Sequence, residues 1–137
     1  MSGKRWIGAG VAAFAVICVL DFITHGKLLM PLYQQTASVW RPPEDAHRMM
    51  WLMSVGQLLF GVTFAWIYAQ GYETAKSGLG QGLRYGLAIG LLTSISYVCV
   101  WFVVLPIPLA LAKGWVAGNL ANCLAAGVVV GLIYRER

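Results

Sequence analysis

Four apolar runs, each about as long as a bilayer core demands of a helix, decide most of what this chain can fold into. They lie at roughly residues 6–29, 48–70, 84–105 and 115–134, and crossing a hydrocarbon core takes about 20 helical residues. Lipid offers no partner to a loose backbone N–H or C=O, so each run must be a helix bonded within itself. The expected fold is therefore all-α, an integral four-helix transmembrane bundle forming a single domain over 1–137. Composition agrees. The chain is 59% hydrophobic and 11% charged, against roughly 25% charged in a soluble domain.

The net charge of +5 does not point to nucleic acid. The basic residues stand singly or in pairs beside apolar runs, as membrane-flanking anchors do. Cys18, Cys99 and Cys123 fall inside apolar runs with no Cys-x-x-Cys, which argues against a disulfide framework or a structural zinc site. The first run has the basic start of a signal peptide, Lys4 and Arg5. Its apolar stretch is long, and no small-residue cleavage site precedes Asp21, so it reads as a retained helix.

The connectors fit this division. Pro42, Pro43, Glu44 and Asp45 make a helix start, since proline is tolerated in the first turn and carboxylates favour the positive end of the helix dipole. The second helix is therefore expected to begin before its apolar run, with His47 and Arg48 near the headgroups. "GYETAKSGLGQGLR" reads as a flexible glycine-rich loop, and its "GLGQG" lacks the strand-to-helix setting of a phosphate-binding loop. Pro106 and Pro108 are expected to end the third helix in a short interfacial turn. The longest connector, 31–48, carries Tyr33, Trp40 and Arg41, expected either flat at the interface or against a ligand or partner.

Charge sets the expected orientation. Lys4, Arg5, Lys76, Arg84, Arg135 and Arg137 fall on the face that holds both termini; Lys27, Arg41, Arg48 and Lys113 fall on the other. The positive-inside rule then gives an up-down-up-down bundle with both termini cytoplasmic, in a membrane such as the bacterial inner membrane. Trp6, Trp66, Tyr68, Tyr72, Tyr85 and Tyr134 would mark the inner boundary, and Trp40, Trp51 and Trp115 the outer. "LLFGVTFAWIY" (58–68) and "LAAGVVVGLIY" (124–134) also match at several positions, a similarity that shared membrane composition explains as well as a duplicated hairpin does.

Polar residues within the spans carry the functional signal. Asp21 and His25 are four apart and so share a helix face, joined by Cys18. On the orientation above, Gln57 of the second helix and Asn119 and Asn122 of the fourth lie at similar depth. A carboxylate in hydrocarbon costs a few kcal/mol even on lenient scales, so this polar cluster is expected to face the bundle interior, with His25 nearest to Asp21. It serves either as interhelical glue or as an ion, proton or ligand site. Cys18, Asp21 and His25 are the weak candidates for a metal, and no cofactor is expected. Gly82, Gly86, Gly90 and Ser94 recur every four residues, as do Gly127 and Gly131, a pattern that lets helix backbones approach closely. No nucleophile–base pairing or dinucleotide fingerprint occurs. The first expectation is a non-catalytic accessory or scaffold subunit that works in the lipid bilayer as a homo-oligomer or in a larger membrane complex. The alternatives are a small oligomeric ion- or proton-coupled transporter using Asp21 and His25, and a membrane metal or redox enzyme.

Overall fold

The computed structural model describes residues 3–135; Arg137, part of the charge count above, lies outside them. Helix α1 (Gly3–Ile23) runs on through a π-helical turn at Thr24–Leu28 into the short α2 (Met30–Gln35). A single 3-10 turn at Ala37–Val39 leads to α3 (Pro43–Gln70), α4 (Gly78–Val104) and α5 (Leu109–Ile133). There is no strand among the described residues. Four helical stretches are long and apolar enough to cross a membrane: Lys4–Leu28, Pro43–Gln70, Gly78–Val104 and Leu109–Ile133.

Helix starts differ from the apolar runs. Helix α3 begins at Pro43 with Glu44 and Asp45 in its first turn, ahead of its run. At 28 residues it is about 42 Å long, more than the roughly 30 Å of a bilayer core. Helix α4 begins at Gly78, so "GLGQG" is its first turns and not a flexible loop. The reason is tertiary. Gly78 and Gly82 sit directly on the backbone of Gly131 and Gly127, where a side chain would not fit. The segment before them is tied by Gln81, which accepts from Glu73 N (2.9 Å) and donates to Glu73 O (3.0 Å) and Lys76 O (3.2 Å). Helix α5 likewise starts at Leu109, directly after Pro108, and not at Trp115. Proline ends one helix here and opens the next within a few residues.

Helix α5 packs against α4 along its length and against α1, and α1 in turn carries α3, giving the order α3, α1, α5, α4. Gly78, Gly82 and Gly86 face Gly131, Gly127 and Cys123 in succession, so α4 and α5 run antiparallel at backbone contact. Gly90 meets Leu120 and Cys123. Gly10 and Gly61 make the equivalent crossing of α1 on α3. The two similar segments noted in the sequence thus place Gly61 and Gly127 each at a helix crossing.

An end of the bundle is marked by Arg5, whose guanidinium donates to Arg135 O (2.7 Å). Near it lie Tyr68, Tyr72, Tyr85 and Tyr134. They pack ring against ring, Tyr68 and Tyr134 buried. Hydroxyl partners make that burial tolerable: Tyr68 donates to Gly78 O (3.1 Å) and Tyr85 to Phe64 O (2.8 Å). Phe64 and Tyr85, with ring centroids 4.5 Å apart, bring α3 and α4 together here. Toward the opposite end, marked by Trp40 and Trp115, the two helices part. Every residue of α3 from 43 to 56 is exposed.

Candidate functional site

The polar residues of the spans sort into two groups, one on either side of α5. In the first, Asp21 receives an amide on each carboxylate oxygen: Gln57 Nε2 donates to Oδ2 (2.5 Å) and Asn122 Nδ2 to Oδ1 (2.6 Å). Three helices are joined at one side chain. Cys18 Sγ donates in turn to Gln57 Oε1 (3.4 Å), so the Gln57 amide is bonded on both sides. Asn122 is buried, and its carbonyl Oδ1 has no hydrogen-bond partner among the described residues.

His25 stands further from Asp21 than the amides do, with Nε2 3.8 Å from Oδ1. Its nearer partner is Tyr33, 2.7 Å from Nδ1. Trp115 Nε1 also reaches the Tyr33 hydroxyl, at 2.7 Å, and an indole N–H can only donate. Tyr33 is thus bonded on two sides, and which partner donates in its bond to His25 is set by the imidazole tautomer. Nε2 is the ring nitrogen that faces Asp21.

Tyr33 does not lie flat at an interface. Helix α1 continues through the π-helical turn, where Leu29 N donates to Thr24 O (2.8 Å), into α2. Helix α2 then tucks Tyr33 between His25 and Trp115, with Trp40 edge-on at 5.3 Å. Gly118 lets Thr24 approach α5 closely at this turn. Burial pushes the Tyr33 phenol above its ordinary range; the Trp115 hydrogen bond works against this, and the charge of Asp21 adds to it.

The second group is a correction to the cluster expected from depth. Asn119 does not join Asp21. It lies three residues before Asn122, far enough around α5 to face α4. There its Nδ2 donates to Thr93 Oγ1 and Ser94 Oγ, both at 2.8 Å. Both hydroxyls are themselves donors to their own helix, Thr93 to Ile89 O and Ser94 to Gly90 O, which frees their lone pairs for the amide. Thr93 carried no signal in the sequence beyond being polar within a span, and Ser94 was legible only as a small residue in the glycine stripe.

Between α4, α5 and the turn into α2, with Phe60 of α3 at one side, lies a cleft of about 860 Å³, lined by His25, Tyr33, Phe60, Tyr97, Trp101 and Asn119 among others. Cys18, Asp21 and His25 do not form a metal-ligand set: among the described residues, no three His, Cys, Asp or Glu side chains are grouped to hold an ion. Two of these groups are turned to amides and one to a phenol.

No family model, curated protein or solved structure matches the chain.

Replacing Tyr33 by Phe removes the partner of both Trp115 and His25. The expected loss is about 1–2 kcal/mol of stability, the net worth of two half-buried hydrogen bonds. Thermal unfolding in a mild detergent measures it, and an unchanged midpoint would mean that the Trp115–Tyr33–His25 line contributes nothing to the fold.

Proposed function

We propose that this is a small non-catalytic membrane protein, an accessory or scaffold subunit. It spans the bilayer up-down-up-down with both termini in the cytoplasm, in a membrane such as the bacterial inner membrane. The observation that carries this reading is the state of Asp21. Both oxygens are taken by amides from two other helices, so the carboxylate acts as a clamp between helices and not as an open reactive group. Interhelical hydrogen bonds in membranes average roughly 0.6 kcal/mol each, but a three-way junction fixes register as well as adding energy.

The uncovered half of α3 supports the accessory role. Met49, Met50, Trp51, Leu52 and Met53 are exposed on consecutive positions, hence all around the helix. A helix normally lays one stripe on its own bundle; this one leaves every face to lipid, a second copy or a partner subunit. Methionine side chains adapt to irregular surfaces, which suits such a contact.

One observation favours the second reading, a proton- or cation-coupled carrier acting as an oligomer. Among the described residues, Asn122 Oδ1 is a buried acceptor without a donor, on a side chain bonded to Asp21. A hydronium or hydrated cation brought there would satisfy it.

Two measurements separate and test these readings. Reporter fusions after residue 135 and within 36–41 should give opposite signals, cytoplasmic for the first; equal signals would defeat the topology. Gentle purification from native membrane should then yield a stoichiometric second component, or a homo-oligomer, that Trp51→Glu releases. A monomer with no second component would defeat the accessory reading, and uptake of protons or cations by vesicles holding the protein alone would establish the carrier.

A further inference from the structure

We infer that the cleft that α4 forms with α5 and the turn into α2 binds an uncharged lipid alcohol, drawn in sideways from the bilayer. The inference goes beyond the accessory reading and rests only on the membrane placement of the four helices. At about 860 Å³ the cleft is within the 300–1,000 Å³ of ordinary small-molecule sites. Most of its wall is aromatic or aliphatic, and no Lys, Arg, Asp or Glu lines it. A phosphate, carboxylate or ammonium head would enter without a counter-charge, and an unpaired charge in such a place is costly.

The polar end of the cleft selects the head group. The Thr93 and Ser94 hydroxyls each donate to their own helix and accept from Asn119. Tyr33 accepts from Trp115 and is bonded to His25. The Asn119 carbonyl keeps unused capacity, its amide protons being committed to Thr93 and Ser94. It needs a donor, which a hydroxyl supplies and an ester or ketone cannot. Asn119 and Trp115 are one turn apart on α5, and Asn119, Tyr33 and Trp115 all line the cleft.

The approach is lateral. Helices α3 and α4 meet through Phe64 and Tyr85, Phe60 lines one side of the cleft, and α3 from 43 to 56 is exposed, which leaves that side open. The α4 wall, from Leu92 to Trp101, lies within a helix apolar enough to span. The tail of a ligand would lie among Phe60, Tyr97 and Trp101 and leave by the open side.

Trp101 and Trp115 supply the readout. The intact protein in detergent is titrated with 9,10-dibromostearyl alcohol, 9,10-dibromostearic acid at pH 8, and a phosphatidylcholine with the same brominated chains, following tryptophan fluorescence. The alcohol should quench with a saturable phase at a mole fraction at least tenfold below any seen with the other two. Ser96→Phe narrows the cleft from an exposed position and touches none of the polar groups; it should remove the saturable phase while helicity and elution volume stay as in the parent. Equal quenching by all three probes, rising without saturation, would overturn the proposal, as would saturation that survives Ser96→Phe. Tighter binding of the acid or the phosphatidylcholine would overturn the choice of head group. Asn119→Ala is a second check, expected to weaken the alcohol at least fivefold; unchanged affinity would likewise count against that head group.

Discussion

Gly86→Leu is expected to break the α4–α5 pair. The glycine has Cys123 O and the Cα of Leu124 where a Cβ would stand. Both are backbone atoms of a long helix, so no side-chain rotation can make room. The two helices must move apart, which also separates Gly82 from Gly127 and pulls Asn119 from Thr93 and Ser94. Overpacking a tight interface costs about 1–3 kcal/mol, occasionally more, and here it is compounded by the lost amide bonds. Leu is the better helix former by roughly 1 kcal/mol, which does not offset that. Gly56→Leu is the matching control, because nothing lies within 4 Å of its absent Cβ. The expected result is a Gly86→Leu protein that unfolds well below the parent in detergent, beside a Gly56→Leu protein at or above it. Equal midpoints would mean that the glycine stripe is not what holds α4 to α5.

That interface was partly legible in the sequence and partly not, for a physical reason. A glycine every fourth residue on two helices marks two narrow faces, and close backbone approach is what such faces permit. Position in the sequence does not say which helix meets which. The four spans are apolar on most sides, so no amphipathic stripe reveals that α1 lies between α3 and α5. Gly10 and Gly61 stand at close contacts too, yet they belong to no repeating pattern. Helix ends were obscured in the same way. The start of α4 at Gly78 depends on Gln81 reaching back to Glu73, and on Gly131 lying under Gly78. Neither contact is local.

The polar site divides along similar lines. Depth along a helix follows from counting residues, and counting brings Asp21, Gln57 and Asn122 to one level. Direction around the helix does not follow as readily. Asn119 and Asn122 differ by less than a turn, and each answers to a different neighbour. Tyr33 was hidden more thoroughly. It lies in a polar connector, and its contacts reach eight residues back to His25 and across to Trp115 on α5.

Replacement of Asp21 should show most directly what the site is for. Asp21→Leu strands two amides at once, those of Gln57 and Asn122, in the interior of the bundle. An unsatisfied buried donor costs about 1–3 kcal/mol, so a loss of roughly 2–4 kcal/mol is expected, enough to threaten a small bundle. Asp21→Asn keeps the shape and one acceptor oxygen. It should cost about 1 kcal/mol, because one amide is still received and only the second meets a like donor. The ratio between the two is the informative quantity, read from thermal unfolding and from the helical signal retained in detergent. A mild Asn variant beside a damaged Leu variant is the behaviour of a hydrogen-bonded clamp, in which the charge is incidental. An Asn variant as damaged as Leu would show that the negative charge itself is required, and the accessory reading would then yield to the carrier. In that case the buried Asn122 oxygen and Nε2 of His25 become the first places to look for the proton or cation, since both belong to side chains that touch or face the carboxylate.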